Sequence, residues 1–150
     1  MNIFDRLDQL TALVGQHVAT TDWLTITQEQ IDQFAHATHD LQWIHCDPER
    51  ARQGPFGAPI AHGFLTLSLL SKFFDMALHV RSVRMGVNYG LNKVRFPAPV
   101  PVGSRLRAHL TLQQAEPVEG GVQLQWLVTI EREGGERPVC VAESLARLYE

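Results

Sequence analysis

Gly63-Phe-Leu-Thr-Leu-Ser-Leu-Leu-Ser-Lys-Phe-Phe-Asp-Met-Ala-Leu78 predicts a helix that is apolar on nearly every face. Such a helix is enclosed by a fold rather than laid along its surface. The chain downstream supplies the enclosure. Strand-like runs at about 83–95, 103–115, 121–132 and 137–149 are separated by Pro97-Ala-Pro-Val-Pro101, Gly120-Gly121 and Gly134-Gly135. The last three runs, joined by tight glycine turns, predict an antiparallel meander. The fold class is therefore α+β, a strongly curved antiparallel sheet wrapped around one long buried central helix, in a single domain over residues 1–150.

Upstream, Ile3, Leu7, Leu10 and Leu13/Val14 have helical spacing and predict a short amphipathic helix across residues 2–14, ending at Gly15. Residues 17–26 read as a strand. Thr27-Gln-Glu-Gln30 is a capping box, opening a helix of about 28–38 that buries Ile31, Phe34 and Ala35 and stops near His39 and Asp40. Asp47-Pro48 starts another, cut short by Gly54, Pro55, Gly57 and Pro59.

Composition narrows the class of function. With 45% hydrophobic and 19% charged residues, the chain reads as an ordinary soluble protein. Lys72 and Asp75 interrupt the most apolar region, so no stretch reaches the roughly 20 apolar residues a membrane span needs. The first residues show no secretory pattern, so a cytoplasmic location is expected. Cys46 and Cys140 lack the spacing of a zinc site and read as reduced thiols, Cys46 as buried rather than reactive. Arg81, Arg84, Lys93, Arg95, Arg105 and Arg107 fall within residues 76–115, where there is no acid, and this suggests either an anionic partner or solvated strand faces. The bases are spread singly among apolar residues, which argues against nucleic acid.

The chemistry-bearing stretch is Asp40-Leu-Gln-Trp-Ile-His45, followed by Ala61-His62-Gly63 at the head of the central helix. Asp40 and His45 lie on the connection between two helices, where reactive groups concentrate. Two readings stand for each: Asp40 is a turn or capping aspartate or half of an acid–base pair, and His45 is a core histidine or the other half. Trp43 and Ile44 are too hydrophobic for a solvated loop, so the connection should be packed, raising the carboxyl pKa and keeping the imidazole near neutrality. Gly63 is either a tight-turn glycine or an oxyanion donor, since the first amides of a helix lack internal acceptors. His62 reads as bracing this turn. Ser71 either lines a pocket or bonds back to its own helix. His36, His39 and His45 lack the further ligands of a metal site, and no metal is expected.

On Asp40, Ile44, His45, His62 and Gly63 the chain resembles the MaoC-like dehydratases of the HotDog superfamily, in particular the (R)-specific enoyl-CoA hydratases and the NodN-like group. The family pattern reads Asp, any residue, Asn, Pro, aliphatic, His, then His-Gly. Gln42 and Trp43 replace the Asn-Pro here, as in the NodN-type variant, and His39 stands where many members have glycine or an acidic residue. The likeness extends over the Gly86-Val-Asn-Tyr-Gly-Leu-Asn-Lys-Val-Arg-Phe-Pro97 strand and the Pro101-Val-Gly-Ser104 turn.

The resemblance implies a HotDog fold and reversible hydration of a trans-2-enoyl-CoA to the (R)-3-hydroxyacyl-CoA. Asp40 and His45 would hold the water and the Gly63 amide the thioester oxygen. It also implies that Gln42, His62 and Ser71 line or brace the pocket, and that Asn88, Tyr89 and Asn92 lie along the acyl or pantetheine channel. No cofactor is needed, coenzyme A arriving as part of the substrate, and a homodimer is expected. Its basic segment would meet the coenzyme's phosphates. A HotDog thioesterase and a non-catalytic acyl-CoA-binding protein are the alternatives.

Overall fold

Asn2–Phe4 (β1) is extended rather than helical, because its backbone pairs in parallel with a strand far downstream. The computed structural model describes residues 1–150, and in it the predicted first helix shortens to Leu7–Thr11 (α1), which buries Leu7 and Leu10. The strand predicted over residues 17–26 divides into His17–Thr20 (β2) and Leu24–Thr25 (β3). Between them the Thr21 hydroxyl accepts from the Ala108 amide and donates to the Asp22 carbonyl, standing in for ladder bonds. Gln28–Thr38 (α2) opens on the predicted capping box: the Thr27 hydroxyl accepts from the Gln30 amide and the Gln30 side chain accepts from the Thr27 amide. Trp43–Cys46 (α3) is one helical turn, where the sequence suggested an irregular connection. Asp47 then caps Pro48–Arg52 (α4) by accepting from the Arg50 amide.

Gly63–Ser68 (α5) and Leu70–Ala77 (α6) continue one another as a central helix of 15 residues. Hydrogen bonds from Leu69 to Leu65 and from Phe73 to Leu69 carry the helix through the slight irregularity between them. Leu78–Val80 (β4) is the parallel partner of β1. Met85–Arg95 (β5), Arg105–Val118 (β6), Gly121–Arg132 (β7) and Cys140–Tyr149 (β8) follow. The main sheet is six-stranded and open, ordered β2-β6-β7-β8-β5 with β3 also on β6. Its pairs are antiparallel throughout, and β6-β7-β8 is the predicted meander.

Alternation along these strands aims Leu106, Leu110, Leu124, Trp126, Val128 and Ile130 inward, onto Leu65, Leu70, Phe73 and Ala77 of the helix. This is the HotDog arrangement. The helix is not enclosed on every side, however. Phe64, Ser68, Ser71, Lys72 and Asp75 are exposed, because the sheet curves around one face only. No helix is long and apolar enough to cross a membrane.

The uneven charge has a structural explanation. Arg81 pairs with Asp5, Arg105 with Glu133 and Arg107 with Glu131, while Arg84 donates to the Glu150 carbonyl. Cations clustered in sequence thus meet acids from elsewhere in the chain, in exposed pairs that each contribute about 0–1 kcal/mol. Lys93 and Arg95 on β5 make no ion pair.

Candidate active site

His39 ends α2 in the left-handed conformation, at φ 60°. That geometry favours glycine and is tolerated by few other residues, histidine among them. It turns the chain so that Asp40 begins a crossing toward the head of the central helix. Asp40, Leu41 and Gln42 are exposed, Trp43 and Ile44 are half-buried, and His45 is buried. The prediction that packing would desolvate both groups therefore holds for His45 alone.

Four contacts fix His45. The Gln42 carbonyl accepts from its amide as α3 begins. Its own carbonyl accepts from Gln28 Nε2 at 2.8 Å, and Gln28 also donates to Asp32 Oδ1 at 2.9 Å. Its Nδ1 donates to the Ile60 carbonyl at 2.6 Å, while the Ile60 amide donates to the Ile44 carbonyl. On the ring face, His62 stacks with centroids 3.8 Å apart. Because a carbonyl can only accept, Nδ1 carries the proton and Nε2 is left with a free lone pair. Burial lowers the His45 pKa below its ordinary 6.5, opposed by the Ile60 carbonyl; the neighbouring His62 lowers it further and Asp40 raises it. A neutral imidazole with an acceptor nitrogen results.

His62 joins the two halves. Its ring lies between those of Phe34 and His45, and its Nε2 donates to the Asp40 main-chain carbonyl at 3.0 Å. Its Nδ1 is buried without a partner. One ligand-type atom from each of Asp40, His45 and His62 lies within 4.8 Å of the other two, so a single water can bridge the carboxylate and the imidazole. Such a trio also meets a distance criterion for a metal ion. But stacked rings, only 23° from parallel, send their in-plane lone pairs out side by side rather than to one point, a poor start for shared coordination. The geometry suits proton transfer better.

Gly63 opens α5, and its amide donates to no acceptor in the chain. A Cβ there would stand 3.0 Å from the Phe96 ring, so any larger residue would have to push that ring back by a few tenths of an ångström. An open cleft of about 340 Å³ adjoins, lined by Phe56, Ile60, Gly63 and Phe96 among others.

The remaining predicted residues scatter. Ser71, Asn88 and Tyr89 line a cavity between the central helix and strands β5 and β8. Ser71 does not bond back to its helix. Asn92 is elsewhere: its amide donates to Gln125 Oε1 at 3.4 Å among Gln114 and Gln123 on the outer sheet face. Gln42 is exposed and acts through its main chain, its side chain making no hydrogen bond. Cys46 is half-buried, with a thiol pKa raised by burial, Asp32 and Asp40; burial pushes the Cys140 thiol up to about 11. Neither cysteine is activated as a nucleophile.

Gln28, the Ile60 carbonyl and Ser144 were missed from the sequence. Gln28 sat inside the recognised capping box, and Ser144 occupies an inward position of β8 between Ala142 and Ala146, a run of small residues that leaves room beneath the helix.

The sequence pattern of the MaoC like domain family matches residues 9–131. A 3-hydroxyacyl-thioester dehydratase Z of Mycobacterium tuberculosis is 53% identical over 148 residues, covering 98% of both chains. Nodulation protein N of Rhizobium leguminosarum bv. viciae is 45% identical, covering 91% of this chain and 86% of that protein. Among solved structures, the (R)-hydratase PhaJ1 of Pseudomonas aeruginosa superposes with a TM-score of 0.75 at 23% identity, over 91% of this chain and 82% of that one.

Proposed function

We propose, from the premise that this chain belongs to the MaoC like domain family, that it adds water reversibly to trans-2-enoyl-CoA thioesters to give the (R)-3-hydroxyacyl thioesters. It is an enzyme, a dehydratase of the MaoC type. The observation carrying the rest is the His45 ring: its Nδ1–H is held by the Ile60 carbonyl, leaving Nε2 as the acceptor of a side chain that has a ring nitrogen within 4.8 Å of an Asp40 carboxylate oxygen. The (R) outcome draws support from the fold shared with an (R)-hydratase.

In the forward reaction a water donates to both Asp40 and His45 Nε2. As its oxygen bonds to C3, one proton passes to the pair; the pair then returns a proton to C2, so OH and H add across the double bond and the site ends as it began. The unpartnered Gly63 amide, at the positive end of the central helix, donates to the thioester oxygen as enolate character develops. A positioned acid–base pair contributes roughly 10²–10⁴ in rate and one oxyanion donor about 10²–10³, with orientation supplying the remainder. Neither redox chemistry nor a metal enters this scheme.

The reading includes a homodimer. β5 is 11 residues long, pairs on one side only with β8, and exposes Met85, Val87, Tyr89 and Leu91. A long apolar edge of this kind is ordinarily covered, and a second copy of the strand is its natural complement. Lys93 and Arg95 on the same strand are cations of the basic segment that no acid engages, and they are available to the coenzyme's phosphates.

Crotonyl-CoA is the first substrate to try, following loss of the enoyl absorbance and resolving the product by chiral chromatography. (R)-3-hydroxybutyryl-CoA is expected. Release of free thiol without hydration would favour a thioesterase, and binding without turnover a carrier or sensor.

A further inference from the structure

Beyond the reacting centre, the cavity along the central helix has two parts of different character. The outer part, about 240 Å³, is lined by Leu67, Leu70, Ser71, Asn88, Tyr89 and Ser144 among others. The inner part, about 250 Å³, is apolar and ends on Leu10, Leu124, Trp126 and Leu148. The two share Ser71, Phe74 and Asn88, and so meet there. Small inward residues on β8 make the space, as does Gly90 on β5, where an added Cβ would meet nothing within 4 Å.

Besides the Tyr89 hydroxyl, whose ring lies against the Arg147 guanidinium, the outer part holds three polar side chains that bond to nothing in the chain: Ser71 Oγ, the Asn88 amide and Ser144 Oγ are in no hydrogen bond, although Ser144 is 7% exposed. Ser68, beside them, is different, since its hydroxyl donates to the Phe64 carbonyl at 2.7 Å. A plain alkyl chain laid across the three would strip them of water and return nothing, which is unfavourable. None of them is charged, so the group they suit is neutral.

We infer that the acyl chain this enzyme takes carries a neutral oxygen function, a hydroxyl or a carbonyl, remote from the thioester, which Ser71, Asn88 and Ser144 bind. The inference rests on the hydratase reading for its direction. Gly63 holds C1, and Gly63, Leu67, Ser71 and Phe74 form one helix face leading away from it toward the apolar inner part. The eight residues from Gly63 to Ser71 span about 12 Å, which places the polar trio well past C3. The pantetheine arm leaves the other way, because the apolar inner part suits the alkyl end of the chain and offers nothing to the polar amides of the arm.

The experiment compares kcat/KM for trans-2-decenoyl-CoA with that for the same chain hydroxylated at its far end, in the wild type and in Ser144→Ala and Asn88→Leu. Wild type should prefer the hydroxylated chain by about tenfold, the worth of a hydrogen bond or two. Each substitution should slow the hydroxylated substrate and speed the plain one. Preference for the plain chain in wild type, or variants that change both substrates by one factor, overturns the inference; the second result would put the trio on the pantetheine arm or in the fold alone. Crotonyl-CoA, too short to reach the trio, reports on the hydratase reading separately. Calorimetry with the saturated pair, decanoyl-CoA and its ω-hydroxy form, tests the polar trio even if turnover is absent: tighter binding of the hydroxylated chain supports the inference, and equal or weaker binding overturns it.

Discussion

At the Gly63 end of the central helix, side chains are held from several directions, whereas at Ser71, eight residues along, polar groups are left free. His45 is tied through its ring, its carbonyl and its stacking face, and His62 is tied to Asp40. Ser71, Asn88 and Ser144 have no such ties. Reacting groups must be within a fraction of an ångström of their working positions before the substrate arrives, so their hydrogen bonds are made by the protein. Groups that select a substrate keep theirs for the ligand.

Removing the reacting groups is the largest way to break the contrast. Asp40→Asn and His45→Gln should each lower kcat on crotonyl-CoA by at least about 10² with the circular dichroism spectrum unchanged. Turnover near wild type in either would leave the acid–base scheme without its agents. Loosening the supports comes next. His62→Phe keeps an aromatic ring against His45 and loses the bond to the Asp40 carbonyl, and Gln28→Ala frees the His45 carbonyl. A drop of roughly tenfold in kcat with little change in KM is expected for each, about the value of one hydrogen bond. If KM rises and kcat holds, these residues touch the substrate rather than position the pair.

A smaller effect concerns pH. The His45 pKa lies below 6.5, and the neutral ring is the working form, so the rate should hold as pH falls through 6.5 and drop only below it. The stability sign agrees. A lowered pKa in the folded state means the unfolded chain binds the proton first, so the contribution of the neutral buried ring is present above 6.5 and lost as pH falls toward the folded value. A pH–kcat/KM profile whose acid limb lies above 6.5 would contradict this.

The contrast also explains what the sequence made legible. The capping box at Thr27, the Asp47-Pro48 start, the meander and the Asp40–His45 pair are local signals or short-range spacings, and the chain follows them. Asn2–Phe4 looked helical because Ile3 has the right spacing; pairing with Leu78–Val80, 76 residues away in register, overrode it. The enclosure of the central helix was overestimated because apolar residues such as Phe64 were counted as buried, whereas one face of the helix is uncovered. The family resemblance grouped Asn92 with Asn88 and Tyr89 along one channel. Register shifts in β5 between Asn88 and Gly90 and between Leu91 and Lys93 make a count of inward positions unreliable, and Asn92 lies outside. Gln28 and Ser144 act across the fold, and nothing in their own neighbourhoods shows what they face.

Ser68 provides the finest test of the contrast, because it differs from Ser71 in one respect only that matters here. Both are exposed serines of the central helix lining the outer cavity. Ser68 has already given its proton to the Phe64 carbonyl, a bond that competes with the helix ladder, while Ser71 has not given its own. If the cavity selects by unpaired donors, Ser68→Ala should leave the ratio of kcat/KM between hydroxylated and plain decenoyl-CoA where it was and change stability by less than about 0.5 kcal/mol. Ser71→Ala should move that ratio toward the plain chain by about threefold. Equal shifts from the two substitutions would mean that the cavity responds to polarity in general, and selection would then rest on the average character of the lining rather than on which of its hydroxyls the helix has left free.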